Sequence, residues 1–224
     1  MRTTSIVILA VLLFASTNAL TAQNIIAAVN FARKNPKVIA QKIQAQYPNM
    51  RGTANDATCY SDAIAFLNAQ APLPPLRENL AADLSTWLHS RYCVQVLKTI
   101  SHTGAGNSNP VSRLEALATG VGALNENIAL TFKPNTVYPT AQEFIIMWIT
   151  DCGVPNRGHR TNMFSTHLTH LGCGVFQGPM TGTWIGTVAT CMGTNTVVIK
   201  PEALKKLAEA GLSPVRNGAG FTGV

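Results

Sequence analysis

With 224 residues, 46% of them hydrophobic, the chain is long enough for one domain to bury a sizeable core without metals or disulfides as its framework. Its net charge of +7 comes from basic residues spread along the sequence, with no run longer than two and no interleaved aromatics. That dispersal argues against a nucleic-acid footprint and describes a solvated, mildly cationic surface, with at most weak attraction to anionic membranes or cell-wall polymers.

The chain starts with Arg2, an apolar run from Ile6 to Phe14, and small residues ending in Thr17-Asn18-Ala19. This is the pattern of a secretory signal peptide over residues 1–19, cleaved after Ala19. The run is too short for a membrane anchor and nothing later approaches a spanning length, so the mature protein is expected to be secreted, with no transmembrane segment. Export makes disulfides expected among Cys59, Cys93, Cys152, Cys173 and Cys191. The odd count leaves at least one thiol free or open to an intermolecular disulfide, and the pairing stays undetermined. No Cys-x-x-Cys spacing occurs, which argues against a cysteine zinc site or a thioredoxin-like motif.

Ile25, Ile26, Val29 and Ala32 recur at helical spacing, and Asn35-Pro36 offers a cap and first-turn pair for a second helix carrying Val38, Ile39 and Ile43. Tyr47 to Thr58 reads as loop, and Asp62 to Leu67 as a short helix closed by the Pro72 to Pro75 stretch. The longest helix is predicted from Arg77 to about Leu97, with the stripe Leu80, Leu84, Trp87 and Leu88 toward the core. Trp87, Tyr92 and Trp148 read as core aromatics.

Asn109, Pro110 and Gly120 bound a further helix, and the alternation Ile128, Leu130, Phe132 suggests a short strand. Thr140 and Glu143 fit a capping box opening the helix that bears Phe144, Ile145, Trp148 and Ile149. Leu171 to Phe176 and Trp184 to Cys191 read as strands joined by a Gly178 to Gly182 turn. Pro201 to Leu212 reads as a short amphipathic helix, followed by a Gly-rich tail, so that 200–224 stands apart from the domain at 20–199. The result is a sheet flanked by helices.

Three polar islands punctuate the second half. They are Ser101-His102-Thr103-Gly104, Asn125-Glu126-Asn127-Ile128-Ala129, and Trp148 through Asp151 to Gly158-His159-Arg160-Thr161-Asn162. Two imidazoles and two carboxylates thus sit on separate segments, each beside the Gly, Asn or Pro that lets a loop turn its side chains inward. Ser101 has no elbow motif around it, which argues against a serine hydrolase. Glu143 is a competing acid, but its place in the capping box favours a structural role. His89, His167 and His170 match no motif and are left out of the site.

In content and order these islands resemble the CAP superfamily of cysteine-rich secretory, antigen 5 and pathogenesis-related proteins. Pro74-Pro75-Leu76 before Asn79-Leu80-Ala81-Ala82, Val29-Asn30-Phe31-Ala32-Arg33, and Leu171-Gly172-Cys173-Gly174-Val175 extend the resemblance over about residues 24–193. It implies an α/β (α+β) fold, a three-layer α-β-α sandwich. It also implies that His102 and His159 face a shared cleft and can bind a divalent cation, often zinc, beside the acids Glu126 and Asp151. The plainer reading is two surface histidines, a satisfied loop acid at Glu126, and an Asp151 paired with Arg157 or Arg160. Asn125 stands where the family has Gly and is expected to keep the turn, since Asn tolerates positive φ. Asp151 stands where the family has Glu, and its side chain reaches less far.

Two protein ligands are fewer than the three of catalytic zinc sites, so affinity should be modest and fall with acid as imidazoles protonate. Three functions follow. The resemblance favours a secreted binding module for a lipid or sterol, a glycan or an extracellular protein. A second is a metal-assisted hydrolase using a zinc-bound water and Glu126 as general base, with Asp151 as a further candidate. A third is a scaffold whose motif residues merely brace loops.

Overall fold

The computed structural model describes residues 20–47, 53, 55–134, 139–181 and 184–209. The expected signal peptide at 1–19, Gly182 of the expected turn, and the tail beyond 209 lie outside the described residues.

Helix α1 (Ala22–Lys34) opens on Thr21, whose side chain accepts from the Asn24 N–H at 3.1 Å. Helix α2 (Pro36–Gln46) follows at once. Asn35 holds the cap position between them, but its Nδ2 donates back to Phe31 O at 3.1 Å and closes α1 instead of capping α2. Helix α3 (Cys59–Ala69) extends beyond the predicted Asp62 to Leu67 at both ends.

The long helix predicted from Arg77 is three pieces. They are a two-residue strand β1 (Arg77–Glu78), helix α4 (Leu80–Tyr92) capped by Asn79, and a π-helical turn (Cys93–Leu97) that Lys98 ends at φ 57°. The predicted apolar stripe is also corrected. Leu84 is buried, Leu80 and Trp87 are half-buried, and Leu88 is 42% exposed, whereas Ala81, Ala82, Asp83, Ser85, Thr86, His89 and Ser90 face inward. Tyr92 is likewise only half-buried, while Trp148 lies in the core as predicted.

The reason is the closeness of the helix to the sheet. A Cβ on Gly174 would sit 2.1 Å from Trp87 N, and one on Gly172 would sit 2.4 Å from the Ala82 Cβ. At that approach small and hydrogen-bonded side chains fit the interface and leucines do not, so hydrophobicity points to the wrong face.

Helix α5 (Pro110–Glu115) starts with a reciprocal Asn109–Ser112 capping box. Gly120 follows a two-residue strand β2 (Ala118–Thr119) and not the helix end. Strand β3 (Leu124–Pro134) is longer than predicted and contains Glu126 and Asn127, with Ile128 buried and Phe132 exposed. Helix α6 (Ala141–Thr150) carries both hydrogen bonds of the predicted Thr140–Glu143 capping box. Helix α7 (Gly158–Met163) leads to the hairpin strands β4 (His170–Thr181) and β5 (Trp184–Thr194). Gly178 pairs with Gly186 inside this ladder, so the turn is shorter than predicted. Strand β6 (Val198–Ile199) and helix α8 (Pro201–Glu209) complete the order.

The main sheet runs β1-β4-β5-β3, with β1 parallel to β4 and the other pairs antiparallel, and β2 pairs with β6 separately. Side chains alternate across it. Leu171, Cys173, Ala189 and Cys191 join Ile25, Val29, Leu67, Phe144 and Trp148 in one core. On the other face Met192 packs with Ala81, Ala82 and Leu114, and Ile128 and Val188 pack with Cys93 and Val94. Helices α1, α3 and α6 thus cover one face and α4 with α5 the other, which is the expected α-β-α sandwich.

Cys59 bonds Cys152, and Cys173 bonds its cross-strand partner Cys191. Cys93 is free and wholly buried, so the odd cysteine offers no surface thiol for the expected intermolecular disulfide. Among the described residues no helix is long and apolar enough to cross a membrane.

Candidate functional site

The first half of the site hangs from the turn after α4. His102 lies there with its side chain 55% exposed, and its main chain is held from below. Arg113 Nη1 donates to His102 O at 2.8 Å, and His89 Nε2 donates to Ser101 O at 2.7 Å. Glu126, buried on β3, accepts from His102 Nδ1 at Oε1 (2.8 Å) and from Arg113 Nη2 at Oε2 (2.5 Å). An ionised carboxylate only accepts, so His102 carries a proton on Nδ1.

The second half is built by the end of α6. Asp151 caps that helix in the left-handed region at φ 51°, which turns its carboxylate toward the start of α7. Oδ1 accepts from His159 Nδ1 at 2.6 Å and Oδ2 from the His159 N–H at 2.9 Å. The shorter acid therefore reaches its partner by helix-end geometry, and the partner is His159 and not an arginine. Arg157 Nη1 donates instead to the Asp151 carbonyl at 3.0 Å. The side chains of Arg157 and Arg160 pair with Asp56 and Asp62. The Arg157 guanidinium, with the Gly153 N–H, holds the Asp56 carboxyl down to about 2.

The halves meet at Asn127. Its Nδ2 donates to His159 O at 2.9 Å, and its Oδ1 accepts from Asn162 Nδ2 at 2.9 Å. Asn125 is not in a turn: it is paired with Gly193 in the ladder, and its Oδ1 accepts from the Gly193 N–H at 3.2 Å. The expectation that Asn125 replaces a positive-φ glycine is therefore corrected, and Glu126 comes from a strand and not from a loop.

Sequence reasoning missed Arg113 and His89. Nothing marks Arg113 except its place in a capped helix, and His89 falls on the face that hydrophobicity assigned to solvent. Burial, then the charge of Arg113, pushes the His89 imidazole below its ordinary range. Glu143 bonds Lys133 and the Thr140 N–H and takes no part in the site. Ser101 Oγ accepts from the Thr103 N–H, and His170 Nδ1 meets Thr169 Oγ1.

A divalent cation is compatible with this donor set in a limited way. Each imidazole is oriented by a carboxylate on Nδ1, the arrangement that usually supports a ligating histidine. Glu126 and Asp151 each hold their ring through one carboxylate oxygen, Oε1 and Oδ1. Among the described residues no group of three or more His, Cys, Asp or Glu side chains is placed to hold a metal ion.

The fold and these motifs define a CAP domain. The family model described as CAP, cysteine-rich secretory protein family, matches residues 26–192, and the chain belongs to that family. Among solved structures the chain is similar to an outer surface protein from Borrelia burgdorferi, at 11% identity and a TM-score of 0.38, covering 73% of this chain and 94% of that one. It is also similar to an extracellular protein containing a SCP domain from Bacillus anthracis str. Ames, at 18% identity and a TM-score of 0.42, covering 65% of this chain and 41% of that one. No curated protein matches the sequence.

Proposed function

We propose that the protein is an exported binding module whose His102 and His159 take a divalent cation such as zinc, and whose surrounding surface engages a lipid or sterol, a glycan or an extracellular protein. Family membership and two disulfides support an oxidising, extracellular setting. The observation that carries the choice of binding over hydrolysis is the engagement of Glu126. A general base must present a carboxylate lone pair to the attacking water, and the Glu126 side chain is only 2% exposed. Both oxygens of Glu126 accept from Arg113 and His102 inside the fold, and Asp151 is engaged in the same way by His159.

Bound zinc would supply a Lewis-acidic centre with coordination positions left for an external oxygen ligand. The chain's own residues do the rest. Glu126 and Asp151 fix the ring tautomers, and Arg113 neutralises Glu126. The test is calorimetric titration of zinc into the mature protein beside a His102→Ala, His159→Ala double variant. Binding near one equivalent, weakened by acid and lost in the variant, is expected. Equal binding by both proteins overturns histidine ligation, and hydrolytic turnover that disappears with Glu126→Gln overturns the binding reading.

A further inference from the structure

We propose that Asp56 and Asp62 are positioning residues for His159, acting through Arg157 on the loop between α6 and α7. The consequence for metal affinity rests on the function proposed above, while the consequence for His159 itself does not.

The loop is built against local preference. Asp151 (φ 51°), Asn156 (φ 63°) and Arg157 (φ 51°) all adopt the left-handed conformation without being glycine, and Gly153 joins them at φ 81°. Such residues persist only where their surroundings over-determine them. Here the over-determination comes from a single neighbouring stretch, the turn and first residues of α3. Arg157 binds both oxygens of Asp56, through Nη1 and through Nη2 at 3.0 Å, and its Nε donates to Asp62 Oδ2 at 2.9 Å. The Gly153 N–H donates to Asp56 Oδ2 at 2.9 Å, Arg160 Nη2 donates to Asp62 at 2.5 Å, and Cys152 is covalently tied to Cys59.

Arg157 is the piece that transmits this hold to the site. The Nη1 that binds Asp56 also donates to the Asp151 carbonyl, and Arg157 stands two positions before His159. One guanidinium therefore pins the residue that receives His159 Nδ1 and the backbone that delivers His159. Without the acids the guanidinium loses its anchor, and Asp151 keeps only the neighbouring disulfide and its bonds within the loop to hold it left-handed, so its carboxylate is expected to leave the ring more often. The His102, Glu126 and Arg113 half shares none of these contacts and serves as an internal control.

Long-range 1H–15N spectra read each imidazole's tautomer through its carbon-bound protons. In the full mature protein with Asp56→Asn, His159 is expected to lose its pure Nδ1–H pattern while His102 keeps it, and Asp56→Glu is expected to recover it. Zinc affinity in Asp56→Asn should fall, by no more than the about 10- to 100-fold that follows loss of a group bonded directly to a ligand. An unchanged His159 pattern, or equal change at both histidines, overturns the proposal. If wild-type protein binds no zinc, the metal reading fails and the tautomer comparison still decides this one. Should Asp56→Asn not fold, Arg157→Lys, which keeps the charge and removes the fork, carries the same comparison with the same outcomes.

Discussion

Arg113 Nη2 and Glu126 Oε2 meet at 2.5 Å with their side chains only 10% and 2% exposed, so the acid of the first half-site is a buried charge with a dedicated counter-charge. Removing one member of such a pair strands the other. Arg113→Met, which strands a carboxylate that can take up a proton, is expected to destabilise the protein by about 3 kcal/mol, and Glu126→Gln, which strands a guanidinium that cannot lose its charge, by at least as much. Urea unfolding of the two variants checks the order.

The interface between α4 and β4 is set by Gly174, where a Cβ would lie 2.1 Å from the Trp87 nitrogen. The obstacle is backbone and cannot rotate away. Gly174→Ala should therefore cost about 3 kcal/mol, the upper end for overpacking. Thermal unfolding measures it, and a shift within error of wild type would mean that α4 slides freely on the sheet.

Stability should fall on acidification in two separate windows. The His89 imidazole is depressed in the fold by burial, so the unfolded chain binds the extra proton, and this contribution is lost as pH drops below about 6.5. Asp56, held down to about 2 by Arg157 and the Gly153 N–H, contributes stability that is present above its unfolded value and is lost only as pH falls from about 4 toward about 2. His89→Gln should flatten the first window and leave the second, as read by denaturation midpoints from about pH 7 to about pH 3.

The two disulfides should differ in worth. Cys59–Cys152 closes a separation of 93 residues and Cys173–Cys191 one of 18. Chain-entropy arguments give about 4–5 kcal/mol for the first and about 3 kcal/mol for the second. Paired serine variants test the ranking.

Cys93 is wholly buried, and burial pushes its thiol up. An alkylating reagent is expected to modify it in denaturant and not in native buffer. Rapid native labelling would show that the turn after α4 opens on its own.

The elements that the sequence announced were those carried by local chemistry. The Thr140–Glu143 and Asn109 caps formed as read, and the four residues singled out fall into two contacts, His102 with Glu126 and His159 with Asp151. What stayed illegible depends on distance in space. Leu88 looks like core and is exposed, because Gly172 and Gly174 bring the backbones too close for it. Arg113 and His89 looked ordinary because their partners, Glu126 and the Ser101 carbonyl, come from other segments. Asn125 looked like a turn residue because its strand partner Gly193 lies 68 residues away.

Glu126 and Asn127 are neighbours on β3 and point to opposite faces of the sheet, one to His102 and the other to the backbone of His159. The hydrogen-bond register of β3 on β5 is thus also the wiring of the site. A slip of one residue would send the carboxylate to the α7 side and the amide to Arg113, exchanging both connections at once. Gly193 guards against that slip, since a side chain there would collide with Asn125 Oδ1 at 2.5 Å. In this protein an error in strand alignment would break the His102–Glu126 and Asn127–His159 contacts in one event.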